Sequence, residues 1–209
     1  YLLKTRVDHP LREKTIASQE HDWHLISERL TSDIPNGKTI WYQKHMAQHN
    51  LPGYDLEWTK KMVNCFLIRD PREVILSFQS KFDITSALQL GFLQQLELFN
   101  KLKDETGKIP PVINAKDVLT DTVETLKILC VMLGIPFRDE MLLWPRGPRK
   151  NDGVWGKYWY KNVEVSTGFQ QYQEKEGKIP NTLKDIYQEC CDAYMEINSY
   201  KISSKSIVG

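Results

Sequence analysis

Apolar residues along this chain alternate between helical spacing and short unbroken runs, and the two patterns divide it into elements. Over residues 12–30, Ile16, Trp23, Ile26 and Leu30 recur at mostly helical spacing and predict one amphipathic helix. Asn36-Gly37 is a turn signal, and KTIWYQKHM after it reads as a strand. Asp55 is placed to cap a short helix reaching Met62. VNCFLIRD, residues 63–70, is rich in β-formers and does not alternate, which predicts a strand buried on both faces, as in a parallel sheet.

Asp70-Pro71 then predicts a helix start, with an N-cap carboxylate before proline at the first helical position. That helix is expected to run through Phe78 to about Lys81. A second covers roughly Ser86–Lys103, with Leu88, Phe92, Leu96 and Phe99 on one face. PPVINAKD is a third short strand, and TVETLKILCVMLG is a helix closed by Gly134. Residues 135–180 read as loop-rich, and a last helix spans about Asn181–Ser199. Strands separated by helices predict an α/β fold with a parallel sheet, the three strands neighbours in it.

Composition narrows the function classes. The 209 residues carry no repeat or linker and fit one domain, 1–209. A formal net charge of +1 argues against a general nucleic-acid binder. No apolar run approaches the roughly 18–20 residues of a bilayer span, so no transmembrane segment is expected. Cys65 and Cys130 lie in apolar runs, where a thiol acts as a small buried hydrophobe, and Cys190-Cys191 has no zinc-site spacing. Reduced thiols and the lack of a signal peptide point to the cytoplasm, and the non-Met start (Tyr1) to a processed product or fragment.

Two segments carry candidate chemistry. The 63–70 strand delivers Arg69 to its carboxyl end, where open α/β sheets place ligands, and Ser77 follows eight residues later. A guanidinium fork and a hydroxyl suit a phosphate, although Arg69 paired with a neighbouring acid and Ser77 facing solvent fit the pattern equally. His45 falls at the end of the KTIWYQKHM strand, where a neutral imidazole takes a proton from an incoming hydroxyl. A hydrogen-bonded structural histidine is the alternative there. His49, four residues on, lacks the partners of a metal site, and no metal is expected.

Taken together these segments resemble the sulfotransferases that use 3′-phosphoadenosine-5′-phosphosulfate (PAPS). Strand–Arg-Asp-Pro with Ser eight residues after the Arg is similar to their 3′-phosphate signature. His45 followed by Leu51-Pro52 matches the spacing of their Lys-Thr-His segment, and NAKDVLTDTVETLKILCVMLGIPF resembles their strand–acid–helix segment. DHP, IWYQKHMAQH, FLIRDPRE and GPR…DGVW…STGF extend the likeness to a bacterial and plant subgroup over Asp8 to about Phe169.

The resemblance implies a P-loop-NTPase-like parallel sheet flanked by helices, PAPS as cofactor and a small-molecule hydroxyl or amine acceptor. It implies Arg69 and Ser77 on the 3′-phosphate, His45 as the base, and Arg149 and Lys150 as a later basic loop on the same phosphate. Trp155 and Trp159 wall the adenine or acceptor in this picture, or are plain core. Gln43 replaces the family's lysine, and the adenine-side tyrosine falls near Ala115. The family's first strand and 5′-phosphosulfate loop precede the matched region, so a missing segment or protein partner is expected to complete the sheet. A non-catalytic structural or interaction subunit with this fold is the second reading. A P-loop kinase of small molecules is the third, without a Walker sequence here.

Overall fold

The computed structural model describes residues 1–5, 7, 9–149 and 152–203. In chain order its elements are α1 (Leu2–Thr5), α2 (Arg12–Ala17), α3 (Trp23–Leu30), β1 (Phe66–Ile68) and α4 (Pro71–Phe78). They continue as α5 (Phe92–Thr106), β2 (Val112–Asn114), α6 (Ala115–Thr120), α7 (Thr122–Leu133), α8 (Gly156–Trp159), α9 (Lys161–Val165) and α10 (Lys184–Asn198). Short 3₁₀ turns join several of them. The chain divides into two compact units, one of Tyr1–Gln43 with Arg138–Phe169, the other of Lys44–Phe137 with Gln170–Gly209.

The second unit is α/β, with a small parallel sheet. Phe66, Leu67 and Ile68 stand opposite Val112, Ile113 and Asn114 in parallel register. The third pairing segment is not KTIWYQKHM, as the pattern predicted, because residues 40–46 join no sheet. The chain after α10 pairs with β2 instead, where Lys201 bridges Val112 in parallel and Ile202 N–H donates to the Val112 carbonyl at 2.8 Å. The alternating apolar residues of that expected strand are solvated instead: Ile40, Tyr42 and Met46 are all exposed.

Side chains from the two sheet faces seed separate cores. Phe66, Ile68 and Val112 pack with Phe99 and Leu102 of α5 and Ile197 of α10, and the Phe66 and Phe99 rings meet edge to face. On the other face Ile113 packs with Val118, Ile128, Leu129 and Ile202. Leu67, beside Ile113, is 58% exposed, so β1 is buried on one face and not on both. Cys65 is likewise exposed rather than packed, whereas Cys130 and Cys190 are buried.

Helix ends follow local chemistry. Asp70 Oδ1 accepts the Arg72 N–H at 2.8 Å with Pro71 at the first position, starting α4 where expected. Gly134 at φ 66° closes α7. The single helix expected over residues 12–30 is two, because Glu20 Oε1 accepts both the His21 and Asp22 N–H groups and Asp22 caps a fresh start by accepting from His24 and Leu25. Local side-chain acceptors there compete successfully with the helix ladder.

The first unit holds α1 to α3 with α8 and α9. Leu143 and Gly168 form an isolated antiparallel bridge, and Trp144 Nε1 donates to Ser166 Oγ at 3.0 Å. No helix among the described residues is long and apolar enough to cross a membrane.

Candidate functional site

The parallel pairing brings the carboxyl ends of β1 and β2 side by side, and the residues that follow each strand meet over a cavity of about 120 Å³. Arg69, Asp70 and Glu73 come from the β1–α4 junction, and Asn114 and Lys116 from the β2–α6 junction. Tyr172 and Glu174 come from the chain after residue 170, and Tyr194 from α10. A ligand crevice at the carboxyl ends of parallel strands is the general rule for such sheets.

Arg69 Nε donates to Glu73 Oε2 at 2.9 Å, one helical turn on. The acid-paired alternative for Arg69 is thus realised, but only through Nε. Its Nη1 and Nη2 donors have no hydrogen-bond partner among the described residues, and the side chain is 48% exposed. Glu73 itself is buried at 4% exposure. Its Oε1 accepts the Tyr172 hydroxyl at 2.6 Å. Burial pushes this carboxyl up, but the Tyr172 and Arg69 hydrogen bonds outweigh it and hold Glu73 below the ordinary carboxylate range. The same bond, aided by burial, pushes the Tyr172 phenol up to about 12.

Asn114 is a buried polar residue of β2, and it is fully engaged. Its Nδ2 donates to Tyr194 Oη at 2.8 Å and to Asn198 Oδ1 at 3.2 Å, while its Oδ1 accepts the Lys116 N–H at 2.9 Å and caps α6. Lys116 Nζ lies 5.1 Å from the centroid of the Tyr172 ring and pairs with no carboxylate among the described residues. The cavity's other acids have partners of their own: Asp70 caps α4 and Glu174 pairs with Arg72. Two cations therefore face the cavity with N–H donors to spare.

Ser77 is half-buried on α4, four residues beyond Glu73 and on the same helix face, but it does not line the cavity. His45 does not line it either. It is an exposed side chain tilted against Trp58, ring centroids 5.4 Å apart at 60°, and partial burial lowers its pKa from 6.5. Burial pulls His49 down further, to about 4. In the first unit, the Arg149 N–H donates to Asp152 Oδ2 at 2.8 Å and its Nη1 to the Gly147 carbonyl at 3.4 Å. Lys150 lies outside the described residues. Trp155 and Trp159 are half-buried and hydrogen-bonded, to Tyr160 Oη and His9 Nε2 at 3.2 Å each. No cluster of His, Cys, Asp and Glu among the described residues is placed to hold a metal.

Sequence reading missed Glu73, Lys116 and Tyr172. The first had a signal, since Arg followed by Glu at i+4 across a helix start is a ready pair. Tyr172 had none, being 99 residues from Glu73.

These features define an α/β unit whose polar cavity opens where parallel strands end and helices begin. The chain belongs to the sulfotransferase domain family, whose model matches residues 1–200. It is 31% identical over 211 residues, all of this chain and 37% of that protein, to branched-chain-amino-acid aminotransferase-like protein 1 of Arabidopsis thaliana. It is 30% identical over 197 residues to branched-chain-amino-acid aminotransferase-like protein 2 of the same plant, covering 93% of this chain and 34% of that one. The chain thus spans about a third of the length of these curated relatives. No solved structure matches it.

Proposed function

We propose that this domain transfers a sulfuryl group from PAPS to the hydroxyl or amine of a small-molecule acceptor, with the Arg69 cavity as the seat of the 3′-phosphate. The observation that carries the reading is the pairing of Arg69 Nε alone, which leaves the outer edge of the guanidinium facing a cavity at the strand ends. A cavity of roughly 150 Å³ accommodates benzene. The 120 Å³ here suits a phosphate group and not a whole nucleotide.

In this reading PAPS supplies an activated sulfuryl group whose S–O bond to phosphate breaks as the acceptor oxygen or nitrogen bonds sulfur. His45, kept neutral at neutral pH by its lowered pKa, takes the acceptor's proton. Arg69 and Ser77 hold the 3′-phosphate, and Arg149 and Lys150 serve as further cofactor ligands. The sheet is of the P-loop type, and a further strand with its phosphate loop joins it. Two features support that: β1 has a strand partner on one edge only among the described residues, and Leu67 is uncovered. Free thiols suit a reducing compartment such as the cytoplasm.

The test is calorimetric titration with adenosine 3′,5′-bisphosphate, together with sulfuryl transfer from labelled PAPS to a panel of phenols, alcohols and amines. Binding and transfer are the expected results, and the absence of both rejects the reading. One observation favours a non-catalytic interaction subunit instead: His45 packs on Trp58 and does not line the Arg69 cavity. Bisphosphate binding without transfer to any acceptor would select that alternative.

A further inference from the structure

We propose that Tyr172 is the positioning residue of this anion site and acts on both cations at once, its hydroxyl fixing Arg69 through Glu73 and its ring face holding Lys116. The proposal rests on the phosphate reading above and adds a residue from a distant part of the chain.

Tyr172 reaches the two cations through different parts of one side chain, Arg69 by way of Glu73 and Lys116 directly. Its hydroxyl donates to Glu73 Oε1 at 2.6 Å, and the other oxygen of the same carboxylate accepts Arg69 Nε at 2.9 Å. A buried carboxylate bonded at both oxygens has little freedom to rotate, so the Nε it accepts is fixed in direction. The guanidinium is planar and rigid, and anchoring Nε therefore sets where Nη1 and Nη2 aim. Without the phenol, Glu73 keeps Arg69 but loses its shortest bond, and the plane of the fork is free to swing.

Lys116 needs a different kind of restraint. Its ammonium is a point charge on a flexible four-carbon stem, and no carboxylate among the described residues holds it. The Tyr172 ring at 5.1 Å restrains it by cation–π attraction, which adds no negative charge to the cavity. A carboxylate in that position would hold Lys116 equally well but repel the anion. The tyrosine is itself anchored, because its N–H donates to the Leu119 carbonyl at 3.2 Å and Arg72 binds the same segment at Glu174 and Gly177.

Three variants separate the arms of the device. Tyr172→Phe keeps the ring and removes the hydroxyl, Tyr172→Leu removes both, and Lys116→Gln removes the charge that the ring holds. The protein is titrated calorimetrically with inorganic phosphate and with adenosine 3′,5′-bisphosphate. Proton–nitrogen spectra follow the Arg69 Nε–H signal, assigned by its loss in Arg69→Lys. Tyr172→Phe is expected to shift that signal and to weaken both ligands by about 3- to 10-fold, less than the roughly 10- to 100-fold of a lost charged hydrogen bond because Arg69 stays present but is no longer aimed. Tyr172→Leu should weaken them by about a further threefold through the lost cation–π contact, an increment absent in the Lys116→Gln background. A melting temperature of Tyr172→Phe close to that of the wild type separates positioning from loss of fold.

Unchanged affinity with the Arg69 signal in place would overturn the proposal and leave the cofactor reading standing. Phosphate binding that weakens in Tyr172→Phe, in a wild type that ignores the bisphosphate, would uphold the positioning role and remove the cofactor reading. A wild type that binds neither probe overturns both.

Discussion

Arg72 straddles the carbonyl oxygen of Gly177, with Nε at 3.2 Å and Nη2 at 2.9 Å across 105 residues of sequence. Two donors on one acceptor tie the segment that carries Tyr172 to the first turn of α4. Gly177 permits this because it sits at φ 131° and because a Cβ there would lie 3.2 Å from both Leu76 methyl carbons. Gly177→Ala is expected to destabilise the protein by about 1–3 kcal/mol, the cost of holding a side chain in a sparsely populated backbone region. Arg72→Ala, which loses bonds from a mostly covered side chain to a carbonyl, should lose about 1–2 kcal/mol. Urea unfolding measures both, and amide exchange should quicken at residues 172–177 in Arg72→Ala. Unchanged protection there would show that the segment is held by something else.

Arg69→Ala tests the phosphate assignment directly. Losing a charged hydrogen-bonding fork of about 1.5–3 kcal/mol should weaken adenosine 3′,5′-bisphosphate binding by roughly 10- to 100-fold. Ser77→Ala removes a neutral hydroxyl and should cost only about three- to tenfold. Calorimetry of the pair decides the assignment, and equal affinities in wild type and Arg69→Ala reject it.

The α4 end of this site was legible in the sequence because its determinants are local. Asp70-Pro71 starts a helix through a side chain and a ring that act within two residues, and Arg69 then falls at the strand end by counting. Gly134 was legible for the same reason. KTIWYQKHM was not, since a strand exists only where a neighbour supplies a ladder, and residues 40–46 meet none. The partner that β2 does find, Lys201, stands after the last helix, where no periodicity marks a strand. Glu73 and Lys116 are near their strands but gain meaning only from Tyr172, and that link is tertiary.

Glu73 predicts a pH dependence of stability. Its folded pKa lies below the unfolded value of about 4.3, so the unfolded chain binds the proton first as pH falls. The stabilisation is fully present above the unfolded pKa and is lost as pH drops through the folded one. Glu57 and Glu105 are also depressed by their lysine partners, and they titrate identically in wild type and variant. The difference between wild type and Glu73→Gln therefore isolates Glu73. It should be flat above about pH 6 and shrink steadily below about pH 5. A difference that grows on acidification would mean that burial, rather than the two hydrogen bonds, dominates this carboxyl.

His45 decides between transferase and interaction subunit. A general base contributes about 10²–10⁴-fold to turnover, so His45→Ala should lower kcat by that factor in a transfer-competent protein. Bisphosphate affinity should hardly change, because the base meets the acceptor and not the 3′-phosphate. The imidazole's lowered pKa places the acid limb of the kcat/KM profile below pH 6.5, since activity falls only once the ring protonates. That limb should vanish in the variant. His45 also packs on Trp58, so Trp58→Phe is a necessary control that keeps an aromatic neighbour while altering the contact. Loss of melting temperature without loss of the acid limb would make His45 a structural histidine held by Trp58. A retained fold with turnover down at least a hundredfold would make it the base.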